Sequence, residues 1–487
     1  MPKSPEDRAL NARDKLLRDT FTPAEVLVSG TFIVCATISF WLASPRSYWV
    51  LGIFIIAGAF MPVVFKTHEQ THPFFVDLLW RRVWLLSAPL VYVILTYSIG
   101  LFQSPFGNIE VDGNTYQSLL NVDTWRPTTA GFKQTWIALL GFCGMYFVTT
   151  SAFVVPKSRA FFERTLPWLC LLATLVCAFG LIQKSIGFEK AIFTAGTGQS
   201  DFFAFFPYDG HWAAFALLWC YACMAMALLQ NRYEDSPGFT KSTGPWYLSG
   251  ACLLGFSGFF VEAKWPATIL LLGFSWACVL FAFNVFRGPN KPYRTSIGLA
   301  GVLLAIAAGT GGLARMRSTN PYAADAESLR QTAVELFQDN PIFGWGMDSF
   351  ATLAPYYSND RLLNTLHERA CSDVAQALAE LGIVGTALVP LICAGLLIRY
   401  IFGGKSIQLT NHLMTGSLFL VALAFLDSPF MSHPVFLSFF ILFFSALRWA
   451  DLSRHKVDEV DAKVALVTHE RHRQVPFTTN PKPDKFK

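Results

Sequence analysis

His367 and Cys371 stand four residues apart in Leu-His-Glu-Arg-Ala-Cys-Ser-Asp, within the longest polar stretch of the chain. The Ala, Leu, Gln and Glu content of 366–380 predicts a helix there, which would set the two side chains one turn apart on the same face. A Cys–His pair can make a thiolate nucleophile, but an outward-facing His beside a partly packed Cys has the same spacing, and both readings stay open. Upstream, Leu329, Val334, Leu336 and Phe337 fall at helical spacing in 328–338, and Asn340-Pro341 stops that helix. Arg330 then falls near its first turn, where the helix dipole disfavours a cation. An anionic partner would account for it; a surface arginine without a role is the alternative. Gly344-Trp-Gly346 reads as a compact turn, since glycine permits positive φ and close backbone approach.

Two further clusters carry polar chemistry. Glu262-Ala-Lys264-Trp-Pro266 makes a very short turn between apolar segments, either a plain hairpin tip with Pro266 starting the next helix or a stiff mount for a phosphate-binding cation. Phe205-Phe-Pro-Tyr-Asp-Gly-His-Trp leads into another apolar segment and places Asp209 or His211 at a helix start, where backbone N–H groups favour an anion. An interfacial aromatic belt with a loop histidine is the simpler account. Every one of the ten cysteines except Cys371 falls in an apolar segment, where a small buried hydrophobe is the default. Cys220-Tyr-Ala-Cys223 has CxxC spacing but no nearby His or second pair, so neither a metal nor a cofactor is expected.

What positions these residues is a membrane bundle. Of 487 residues, 53% are hydrophobic and only 15% charged, more apolar surface than soluble domains bury. Spans of membrane-crossing length fit 25–44, 49–65, 83–102, 134–155, 166–186, 211–230, 246–263, 266–286, 296–314, 383–402, 411–427 and 432–449, about twelve helices in all. Basic residues gather on one side: Lys3 to Arg18 before the first span, Lys66, Arg81 and Arg82 after the second, Lys157 to Arg164 after the fourth, and Arg448 onward in the tail. By the positive-inside rule both termini face the cytoplasm. The expected layout is a cytoplasmic tail over 1–24, a transmembrane region over 25–314, a large external loop over 315–382, a second transmembrane region over 383–449, and a cytoplasmic tail over 450–487. The net charge of +5 is juxtamembrane and suits anionic lipid headgroups, so no nucleic-acid partner is called for. The first twenty residues lack the apolar core of a cleavable signal peptide. Span centres are nearly free of charge, which disfavours an ion-coupled transporter.

The run from Arg330 through Asn340-Pro-Ile-Phe-Gly-Trp-Gly346 to Phe350, then Arg369-Ala-Cys-Ser-Asp373 and Gln376-Ala-Leu-Ala-Glu-Leu-Gly-Ile-Val-Gly385, resembles the signature of the O-antigen ligase and O-antigen polymerase superfamily. Phe206 to Phe215 is similar to that family's earlier external motif. The resemblance implies an all-α, polytopic, GT-C-like bundle in the bacterial inner membrane. It also implies a metal-independent glycosyltransferase that takes a glycan from an undecaprenyl-pyrophosphate carrier, with flippase and chain-length regulator proteins as partners. In the family, external arginines are thought to hold the pyrophosphate and a loop histidine to assist the acceptor hydroxyl. Carried over, Arg330 and Arg369 match arginines, Lys264 stands in place of one, His211 lies in the earlier motif, and Cys371 occupies the histidine position. His367 is then the expected substitute base, with Cys371 secondary, because an imidazole titrates nearer neutrality than a thiol. The expected function is an envelope polysaccharide polymerase or ligase. The alternatives are a catalytically weakened glycan-binding partner in a polysaccharide assembly complex and, third, a transporter.

Overall fold

The computed structural model describes residues 22–43, 48–71, 76–103, 105–111, 114–120, 123–188, 202–230, 243–287, 292–318, 323–357, 369–401 and 408–473. These form fourteen α-helices and one β-hairpin. Helices α1 (Pro23–Trp41), α2 (Tyr48–Thr71) and α3 (Val76–Gly100) lead to strands β1 (Phe106–Val111) and β2 (Asn114–Leu119). Next come α4 (Phe132–Val154), α5 (Arg159–Ile186), α6 (Asp209–Gln230), α7 (Gly244–Phe256), α8 (Lys264–Arg287) and α9 (Pro292–Arg317). The insert contributes α10 (Ala323–Asp339) and α11 (Phe350–Tyr357), and the chain closes with α12 (Asp373–Ile401), α13 (Gln408–Ala424) and α14 (His433–Arg473).

Ten of these helices are long and apolar enough to cross a membrane, so the chain is a multi-pass membrane protein. Two expected spans depart from their expected bounds, the first by shortening and the second by a shift of three residues toward the N-terminus. The segment at 246–263 forms the 13-residue α7, continued by a 3-10 turn at Ser257–Phe260. The segment at 411–427 forms the 17-residue α13 and ends before Asp427-Ser-Pro429, where proline and a buried acid break the helix. The expected border at 382/383 is a kink inside one helix: α12 begins at Asp373 and bends at Gly382 (φ 64°, ψ −175°). The bundle is all-α as expected, with one short hairpin beside it. Its strands pair Val111 with Asn114 across Asp112-Gly113, the dipeptide that favours a two-residue connection.

Helix α6 is the axis of the bundle, with 94% of its span buried. Its large aromatics are tethered through their polar ends: Trp212 Nε1 donates to Ser257 Oγ, Trp219 Nε1 to Ser438 Oγ and Tyr221 Oη to Gly273 O, at 2.8–2.9 Å. Inside a bilayer such bonds replace the water that a buried N–H or O–H would otherwise lose. Cys220 and Cys223 lie on this helix, both buried as small apolar side chains.

At the end carrying the insert, two glycines let distant segments meet backbone to backbone. A Cβ on Gly344 would lie 2.4 Å from the carbonyl carbon of Glu380, and one on Gly382 would lie 2.2 Å from Ile342 O. The approach lets Trp345 N donate to Ala379 O, Gly346 N to Glu380 O and Ile383 N to Pro341 O, at 2.9–3.0 Å. Glu380 also accepts from Asp348 N (2.8 Å) and Phe350 N (3.3 Å). Asn340 Nδ2 donates to Gly344 O and to Thr128 Oγ1, which ties the segment before α4 to the same knot. Asn-Pro-Ile-Phe-Gly-Trp-Gly and Ala-Glu-Leu-Gly are therefore two halves of one joint.

Candidate functional site

That joint presents residues 369–372 toward the start of α6 and the α13–α14 junction. Arg369 Nη1 lies 3.2 Å from His211 Nε2, and its guanidinium sits 5.8 Å from the centre of the Tyr208 ring. Tyr208 donates to Asp427 Oδ2 at 2.7 Å, Ser428 N donates to Asp427 Oδ1 at 2.7 Å, and Asp373 N donates to Asp427 O at 3.1 Å. Asp373 Oδ2 accepts from Phe430 N at 2.7 Å. Asp209 opens α6 as expected, and its carboxylate accepts from the backbone N–H groups of Glu262 and Ala263, which pins the α7–α8 turn to the site.

Arg330 reaches this cluster from the other side. Its Nη2 donates to Cys371 O (3.4 Å) and Leu426 O (3.5 Å), while Nη1 pairs with Glu327 at 3.0 Å. The side chain is 30% exposed and turned toward the α13–α14 junction. The helix starts at Ala323, earlier than its apolar pattern indicates, so Arg330 sits in mid-helix and not in a first turn. The dipole argument for an anionic partner therefore falls away. The convergence of cations replaces it: Asp427, buried, feels both Arg330 and Arg369.

Cys371 corrects the expected helix. It has φ 52°, a left-handed conformation, and the helix begins only at Asp373, so Cys371 is not one helical turn beyond His367. Ser372 Oγ accepts from Ala375 N and caps this late start. His367 itself lies outside the described residues. Burial, with the charge of Asp427, pushes the Cys371 thiol up to about 11, against the pull of Arg330 and Arg369. A thiol raised in this way favours its protonated form, which weighs against the thiolate chemistry its spacing left open. Alkylation of Cys371 by iodoacetamide, followed by mass spectrometry, should keep rising about tenfold per pH unit from pH 8 to 10. A plateau by pH 9 would show an ordinary thiol.

Burial also pushes the Tyr208 phenol well above its ordinary range, and the neighbouring Asp427 charge adds to the effect. The phenol thus stays a hydrogen-bond donor. Burial raises Asp427 too, opposed by the Tyr208 hydroxyl, the Ser428 N–H and the two arginines.

Of the residues expected from sequence, Arg330, Arg369, His211 and Cys371 come together. Lys264 does not join them. It starts α8 with Nζ 5.2 Å from the centre of its own neighbour Trp265, and no hydrogen bond or ion pair links it to Arg330, Arg369 or His211 among the described residues. Tyr208, Asp373 and Asp427 were not singled out. An acid between two apolar segments was the available signal for Asp427. Among the described residues, no group of three or more His, Cys, Asp or Glu side chains is arranged to hold a metal ion.

Fold and site together define a polytopic helical membrane protein with a charged, half-buried cluster at the insert end. No family model matches the chain, and no curated protein matches it.

Proposed function

We propose that this chain is a glycosyltransferase of the O-antigen ligase and polymerase type, moving a glycan from undecaprenyl pyrophosphate to an acceptor on the outer face of the bacterial inner membrane. The observation that carries the reading is the approach of Arg369 and Arg330, from two separate elements, to one cluster with His211 and Tyr208. Cations so placed stabilise a leaving pyrophosphate as the bond from the anomeric carbon to its oxygen breaks and charge develops there. The acceptor hydroxyl attacks that carbon and must lose a proton to a base. The Cys371 thiol, protonated at neutral pH, is a poor base, so the role falls to His367.

The test is transfer in membrane vesicles supplied with undecaprenyl-pyrophosphate-linked oligosaccharide, read as longer or acceptor-linked glycan. His367→Ala should lower the rate about a hundredfold while carrier binding persists. An unchanged rate would remove His367 from the mechanism. A second reading rests on the same thiol, which stands where the resembling family has its base: a weakened member that binds carrier-linked glycan as part of an assembly complex. Saturable carrier binding with no turnover in the wild type would favour it. A gain of transfer in Cys371→His would show that the missing base limits the reaction.

A further inference from the structure

His211 Nε2 lies 3.2 Å from Arg369 Nη1 and 3.1 Å from the carbonyl oxygen of Ser428. A guanidinium nitrogen only donates, and a carbonyl oxygen only accepts. One ring nitrogen satisfies them only in turn. Bare, Nε2 accepts from Arg369; protonated, it donates to Ser428 O and turns an N–H toward the guanidinium. The tautomer of a histidine is normally fixed by what its other nitrogen bonds. Here Nδ1 is buried and has no hydrogen-bond partner among the described residues, so that side imposes no choice. Arg369 has no other hydrogen-bond acceptor among the described residues; its guanidinium otherwise faces the Tyr208 ring and lies within electrostatic reach of Asp427 and Asp373. His211 is 1% exposed whereas Arg369 is half-buried, so a ligand reaches the arginine and not the imidazole.

We propose that His211 is a positioning residue, a two-state latch that holds Arg369 in the absence of an anion and lets it go when phosphoryl oxygens arrive. In the held state the ring proton is on Nδ1 and Nε2 accepts from Nη1. Phosphoryl oxygens offer the guanidinium a charge-assisted, two-pronged acceptor, stronger than a neutral ring nitrogen. When Arg369 turns to them it vacates the space beside Nε2 for water; water protonates Nε2 and, as the ring swings briefly open, takes up the Nδ1 proton, so one proton is gained, one is lost and the ring's charge is unchanged. Nε2 then donates to Ser428 O. Ser428 is the residue whose N–H holds Asp427 Oδ1, so the released state also tightens the turn that carries the carboxylate. Occupancy at Arg369 is thereby passed to the α13–α14 junction, which no ligand need touch.

The latch rests on the reading of Arg369 as a pyrophosphate-binding cation, and the experiment separates the two. The full-length protein, labelled with ¹⁵N- and ¹³C-histidine and reconstituted in lipid, is examined by solid-state NMR with and without inorganic pyrophosphate, the His211 signal being identified by its loss in His211→Gln. The expected result is conversion of His211 from the Nδ1–H to the Nε2–H tautomer on saturation. Binding is measured in parallel by calorimetry. In His211→Gln the amide oxygen accepts from Arg369 while the amide N–H₂ donates to Ser428 O, so the arginine stays held and pyrophosphate should bind about tenfold more weakly. In His211→Ala the arginine loses its competitor and binding should strengthen by a similar factor. Opposite signs from two substitutions at one buried position are not produced by a merely structural role. Pyrophosphate binding that depends on Arg369 but leaves the His211 tautomer unchanged would overturn the latch alone. Wild-type binding that Arg369→Ala does not alter, or none at all, would overturn the anion reading and the latch with it.

Discussion

Arg369→Ala should lower carrier-linked glycan transfer at least about a hundredfold, the scale on which removal of one preorganised donor to a developing negative charge is felt. The guanidinium lies between His211 and the Tyr208 ring, half-buried at the cluster and within reach of a ligand that draws it off the imidazole. Arg369→Lys keeps the charge but loses the planar fork, and should recover only part of the rate. Arg126 supplies the control: its side chain is 74% exposed and paired with Asp123, away from the cluster, so Arg126→Ala should leave the rate within about twofold. Initial rates in vesicles, normalised to the amount of folded protein, decide the matter. An Arg369→Ala rate within twofold of wild type would sink the role.

The second large effect is on folding. Gly382 has φ 64° and ψ −175°, a combination open essentially to glycine alone, and a Cβ there would lie 2.2 Å from Ile342 O. Gly382→Ala should therefore destabilise the insert by about 3 kcal/mol or more, through backbone strain together with the lost joint to residues 341–346. Gly395, in the same helix, has nothing within 4 Å of an added Cβ, so Gly395→Ala should be neutral or slightly stabilising. Thermal unfolding in detergent, followed by tryptophan fluorescence, reports the difference, since Trp345 is buried in the joint. Equal midpoints for the two variants would mean that the joint does not hold the insert.

The apolar segments were legible because twenty-residue hydrophobic runs have few other uses, and the insert stood out by contrast. Asn340-Pro341 marked a real helix end, and Gly344-Trp-Gly346 a real turn. What could not be read is what lies far apart in sequence. Nothing local joins Gly344 to Gly382, or Tyr208 to Asp427, which are 219 residues apart. Helix propensity misled at 366–372, where Cys371 takes a left-handed conformation and Asp373 opens the helix by donating its N–H to Asp427 O. It misled at Arg330 for the opposite reason, since the six residues before the first patterned leucine, Ala323 to Ser328, are helical as well. Four of the six residues expected at the site meet there. His367 is outside the described residues, and Lys264 stands apart with Trp265.

The two parts of α12 live in different solvents. Before Gly382 the helix is fastened to the insert by backbone bonds; after it, the most apolar stretch is only 11% buried within the protein. Acyl chains are thus the main packing partner of this segment, and their thickness and order enter the mechanics of the fold as side chains do elsewhere. A thinner bilayer tilts the lipid-facing part and a thicker one draws it upright, and Gly382 passes the change to the nine residues that follow Ser372. Micelles and bilayers of different chain length should then yield different stabilities of the insert from one and the same sequence, with the lipid acting as a further part of the fold.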